Sequence, residues 1–113
     1  MHNVNTFSNV RYLKKKDPRR ELYRKQRKER GFDNSELWSL DMTIIEFTLP
    51  RLKAFRDYTI SFPIDEKIKT FEEWQQVIDK MIYGMEKYKE DTWDTEATEG
   101  IDLFLKYFRH LWN

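Results

Sequence analysis

Phe71, Trp74, Val77, Ile78, Met81, Ile82, Met85 and Tyr88 recur at i, i+3, i+4 and i+7. That spacing places apolar side chains on one face of an α-helix. Gln75, Gln76, Asp79, Lys80, Glu86 and Lys87 cover the opposite face. Thr70 and Glu73 form a capping box at its start, so the segment begins as a helix as well as repeating like one. The stripe reads as core. Gly84 at its margin permits a close helix crossing, at about 1 kcal/mol relative to alanine. Tyr83 projects toward the polar side, onto the surface or into an interface.

The stretch from Gly31 to Tyr58 is the second constraint. Asp33 with Glu36 is another capping box, with Ser35 as an alternative cap. Leu37, Ile44, Ile45, Thr48, Leu52 and Phe55 share one face of the helix that follows, with Leu40, Phe47 and Tyr58 at its edge. Pro50 has no N–H for the Glu46 carbonyl, which predicts a kink or break there. Asp41 falls within the apolar stripe. A buried carboxylate needs a partner, so Asp41 is expected to be a buried polar residue held from another helix, or a ligand-contacting or catalytic one; a different helix phase, which would take it off the stripe, is the third reading.

Asp17-Pro18 starts a helix that Gly31 stops. Only Leu22 and Tyr23 are apolar within it, and alone it is marginal at this length. Arg19, Tyr23, Arg27 and Arg30 share a face. Residues 11–30 hold eleven Lys/Arg against three acids, a net of +8, whereas residues 31–113 carry a net of −7. The chain reads as a basic arm on an acidic body. Arg19, Arg20, Tyr23, Arg24, Arg27, Lys28 and Arg30 are the candidate partner contacts. Basic side chains interleaved with aromatics suit phosphate contact and base stacking. An acidic protein partner and contact with the chain's own acidic surface fit the same pattern.

Residues 1–10 are polar and Asn-rich, compatible with a tail, a short strand or an arm laid across a neighbour. The connector after Tyr58 is expected to tuck Phe62 and Ile64 against the core. Residues 89–98 are an acidic linker carrying Trp93, which folds back or anchors a partner. Thr95 or Thr98 caps a last helix with Ile101, Phe104, Leu105, Phe108, Leu111 and Trp112 on one face. Leu103 and Tyr107 make a narrower second edge, and Trp112 is expected as a closing contact.

Three segments carry a family resemblance: RGFDNSELWSLDMTIIEFTLPRLKAF from Arg30 to Phe55, FEEWQQVIDKMIYGMEKY from Phe71 to Tyr88, and EGIDLFLKYFRHLWN from Glu99 to Asn113. In these the chain resembles a group of small uncharacterised proteins encoded by tailed bacteriophages. The resemblance implies a viral origin and expression in a bacterial cytoplasm. It implies no activity, cofactor or catalytic residue. The basic segment lies outside it.

The chemistry left to the chain is narrow. There are no cysteines, so no disulfide or thiolate site. His2 and His110 stand at opposite ends, and no metal-ligand spacing occurs. Neither glycine-rich phosphate motif is present. Glu72, Glu73, Glu86, Glu90 and Asp91 scatter around the helix and read as a solvated face. No cofactor, metal or catalytic residue is expected. No apolar run approaches the roughly 20 residues that span a bilayer, and the first ten residues lack a signal-peptide order.

The expected fold is all-α, a small three- to four-helix bundle. Its helices are placed at about 18–30, 34–58 kinked at Pro50, 71–90 and 96–112, the last three antiparallel. Residues 1–30 are read as a basic arm and 31–113 as the bundle domain. The expected function is non-enzymatic capture of a host or phage protein, or of nucleic acid, through the basic segment. An alternative is sequestration of a small ligand or nucleotide in an aromatic pocket built from Tyr83, Trp93 and Tyr107, within one subunit or between subunits of a homo-oligomer.

Overall fold

The computed structural model describes residues 7–112. Residues 1–6, and with them most of the N-terminal tail and His2, lie outside the described residues. All regular structure among the described residues is helical, as the sequence predicts. The four α-helices are α1 (Arg19–Arg30), α2 (Leu40–Tyr58), α3 (Phe71–Lys89) and α4 (Thr95–Lys106). Short 3-10 turns occupy Val10–Tyr12, Asn34–Leu37 and Phe108–His110. The chain divides into two compact units, residues 1–47 and 48–113.

In the first unit, α1 ends as expected at Gly31, whose φ of 85° is the left-handed conformation that releases the chain from the helix. The Asp33–Glu36 capping box forms, but it opens a 3-10 turn and not the α-helix. A turn at Trp38 and Ser39 follows, and α2 starts only at Leu40. This delay corrects the reading of Asp41. Its carboxylate is exposed in the first turn of α2, where free backbone N–H groups and the positive end of the helix dipole favour an acid. The buried face of α2 is Ile45, Leu49 and Leu52, rotated toward Leu49 from the predicted stripe; Leu37, Leu40, Ile44 and Phe47 are exposed. The helix runs on through Pro50.

The second unit is an antiparallel arrangement of the end of α2 with α3 and α4. Lys53 pairs with Glu86 at 2.9 Å and Arg56 with Asp79 at 2.6 Å, so α3 runs backward along α2. Trp74 meets Tyr107 edge-on at 5.5 Å, while Lys87 pairs with Asp94 and, at 2.8 Å, with Glu96, so α4 runs backward along α3. Thr70 caps α3 by accepting from the Glu73 N–H at 3.1 Å, and the Glu73 carboxylate accepts from the Lys69 N–H at 2.9 Å. Trp74, Ile78, Met81 and Met85 are the buried stripe of α3.

Three expectations for this unit are corrected. Ile68, wholly buried, plugs the connector; Ile64 is exposed and Phe62 only half-buried against Phe71. Asp94 caps α4, accepting from the Ala97 N–H at 3.0 Å, in place of Thr95 or Thr98. The helix also stops at Lys106 and buries Ala97, Gly100 and Tyr107, leaving Leu105, Phe108 and Trp112 exposed. Close approach of backbones at Gly84 and Gly100 selects that small-residue face over the larger apolar one.

Candidate functional site

The basic segment and its supports lie in the first unit, organised by Asp33. Its carboxylate is fully buried. Arg27 Nη1 donates to Oδ2 at 2.6 Å and Ser8 Oγ donates to the same oxygen at 2.6 Å. The Ser35 N–H donates to Oδ1 at 2.8 Å, joined there by the Ser35 hydroxyl. The Asp33 N–H in turn donates to Glu36 Oε2 at 2.9 Å. Burial pushes the Asp33 carboxyl up, but the hydrogen bonds from Ser35, Ser8 and Arg27 outweigh it and hold the group below the usual aspartate range. A buried charge is tolerable only with such partners. Asn9 extends the same hub: its N–H donates to Ser35 Oγ at 2.8 Å and its side-chain amide to the Ser35 carbonyl at 2.7 Å.

The helix face expected to meet a partner therefore divides. Tyr23 is buried and packs edge-on against Trp38, ring centres 6.2 Å apart. Arg27 is committed to Asp33. These two face inward and hold the unit together, which removes them from the contact surface the sequence suggested. Arg19 is tied to Asp17 at 2.8 Å, with its own backbone N–H also held by that carboxylate. The hydrogen bonds from the Arg19 side chain and then from its backbone N–H pull the Asp17 carboxyl down to about 2. Arg30 lies over the Phe32 ring at 4.3 Å and donates to Asn34 Oδ1 at 2.5 Å.

The opposite face of α1 carries Arg24, Lys25 and Lys28, all exposed. Arg24 pairs with Glu21 across one helical turn, an exposed pair of little strength. Arg20 donates to the carbonyls of Lys14 at 2.9 Å and Leu13 at 2.8 Å. That fixes the Lys14–Lys16 loop at the start of α1. Lys14, Lys15, Lys16, Lys25 and Lys28 are exposed and have no ion-pair partner among the described residues. The three loop lysines were not singled out in the sequence, although the KKK run was the available signal.

The three aromatics proposed to build a pocket are not gathered into one. Tyr107 is a core residue of the second unit, its hydroxyl donating to Asp65 Oδ2 at 2.6 Å. Burial first, then that bond, pushes the phenol up to about 12. Trp93 is exposed, held edge-on by Tyr88 at 5.3 Å, and borders a groove of about 650 Å³ along α4 with Asp94, Glu99, Asp102 and Lys106. Tyr83 is exposed beneath the Lys87 ammonium, 5.4 Å from its ring centre, and does not line that groove. Among the described residues, no cluster of three His, Asp or Glu side chains is placed to hold a metal ion. None of their helices is long and apolar enough to cross a membrane.

Compared with known protein families, curated proteins and solved structures, the chain matches none.

Proposed function

We propose that the chain is a non-enzymatic binding protein that captures an anionic macromolecule on the cationic surface of its first unit. One observation carries the reading. Five exposed lysines, Lys14, Lys15, Lys16, Lys25 and Lys28, have no ion-pair partner among the described residues. The segment that bears them keeps a net charge of +8 over residues 11–30. Among the described residues, the ion pairs of this segment are those to Asp17, Glu21 and the buried Asp33, so the surface retains a field able to steer and hold a polyanion.

The resemblance to phage-encoded proteins supplies a setting for this reading. It suggests an accessory protein in the cytoplasm of an infected bacterium, acting on a host or viral macromolecule, a defence component included. The test is binding of a fluorescent polyanion across a salt series. Wild-type affinity is expected to fall steeply, with a log–log slope of about −3 to −4 if all five lysines meet phosphates of a single strand. Joint reversal of the five to glutamate is expected to abolish binding while leaving the helical circular dichroism intact. Affinity indifferent to salt and to the reversal refutes the reading. Reversal of Arg27 is a poor test, because it breaks the buried pair with Asp33.

A further inference from the structure

The anionic partner has a recognisable second requirement, and this inference rests on the reading just given. Beside the lysine loop, Tyr12 and Trp38 border one cavity of about 340 Å³, together with Arg11, Asn9, Met42 and Glu46. Tyr12 is 71% exposed and Trp38 47%. Neither ring is needed to close a core, yet both are held in place. Trp38 rests edge-on against buried Tyr23. Tyr12 ends the 3-10 turn that Asn9 clamps to Ser35, and the Arg11 guanidinium covers one of its faces at 4.6 Å. Arg11 is itself anchored, donating to the Ser8 carbonyl at 2.6 Å.

We propose that this cavity takes an unstacked base of a single-stranded nucleic acid, with Tyr12 and Trp38 as stacking surfaces and Lys14, Lys15 and Lys16 on the adjoining phosphates. Each feature points to that ligand. The volume is at the lower end of small-molecule sites and suits one planar ring system. Aromatic and guanidinium planes stack on any base, and a basic track beside them holds the backbone. Glu46 on the wall repels the carboxylates of an acidic peptide but accepts a hydrogen bond from an N–H donor on a base edge, the thymine N3–H included. A duplex keeps its bases stacked and would have to flip one out to enter.

The experiment compares a labelled deoxythymidine 12-mer with an abasic strand of the same length, a duplex and polyglutamate, using the full chain. The base-bearing single strand is expected to bind best. Tyr12→Ala is expected to weaken it roughly tenfold, toward the abasic value, and Tyr12→Phe to preserve it, because stacking needs the ring and not the hydroxyl. Tyr12 is exposed, so its loss leaves the fold in place; Trp38→Phe is a second variant that retains a ring against Tyr23. Equal binding of abasic and base-bearing strands overturns the stacking site while the cationic-surface reading stands. Preference for the duplex or for polyglutamate overturns it in favour of another anionic partner. Failure of every polyanion to bind refutes both readings together.

Discussion

Gly84 and Gly100 touch backbone to backbone: a methyl group on Gly100 would lie 2.8 Å from the Gly84 Cα and 2.5 Å from the Lys80 carbonyl oxygen. A methyl on Gly84 would lie 2.7 Å from the Gly100 Cα. Both glycines are inside helices, where alanine is normally better by about 1 kcal/mol. Here the sign reverses, because the clashing atoms are backbone and cannot rotate away. Gly100→Ala and Gly84→Ala are each expected to destabilise by about 1–3 kcal/mol in urea unfolding. Their double variant should depart from additivity, since one shift of α4 relieves both clashes.

That crossing also explains how far α3 and α4 were legible. The stripe of α3 could be read directly because Trp74, Ile78, Met81 and Met85 recur at helical spacing and are all buried. For α4 the same method favoured Leu105, Phe108 and Trp112, since periodicity weighs side-chain size and gives no weight to a face of Ala97 and Gly100. Around Asp33 the limit was different. The capping box was visible, but the wheel cannot show Arg27, Ser8 and Ser35 converging across the Gly31 turn, so the buried carboxylate was sought at Asp41. Tyr12 and Trp38 were missed because they meet only through folding, with Asn9 and Ser35 bringing their segments together.

Asp33 links the first unit to acid. Its folded-state carboxyl lies below the unfolded value. The stabilisation is therefore complete above the unfolded aspartate pKa of about 3.9, and is lost as pH falls from there through the folded value. Asp33→Asn is expected to cost about 3–5 kcal/mol by leaving Arg27 half-buried without its charge partner. Amide exchange of α1 against pH is the measurement. Protection in the wild type should drop below pH ~4, and the variant should start lower and lose that part of the acid dependence.

Tyr107 gives the opposite sign at high pH. Its phenol is pushed up to about 12, by burial and then by the bond to Asp65. The neutral form is favoured in the folded chain, so its contribution is complete below the unfolded value of about 10 and lost as pH rises through about 12. Tyr107→Phe is expected to lower stability by about 1–3 kcal/mol, as the bond to a charged acceptor is lost and Asp65 keeps only its backbone donors. Ultraviolet titration of phenolate should show one tyrosine fewer in the last, most alkaline phase.

Pro50 occupies an exposed position within α2. It leaves the Glu46 carbonyl without its helical donor and crowds the preceding turn. Since the helix runs through this residue, alanine fits the same backbone and supplies the missing N–H. Proline is about 3 kcal/mol worse than alanine in a helix interior, partly offset by its restriction of the unfolded chain, which is about 0.4–1 kcal/mol. Pro50→Ala is therefore expected to raise the unfolding free energy by about 2 kcal/mol in urea melts. A loss of stability on removing Pro50 would mean that the native chain needs the backbone geometry that proline imposes at this turn.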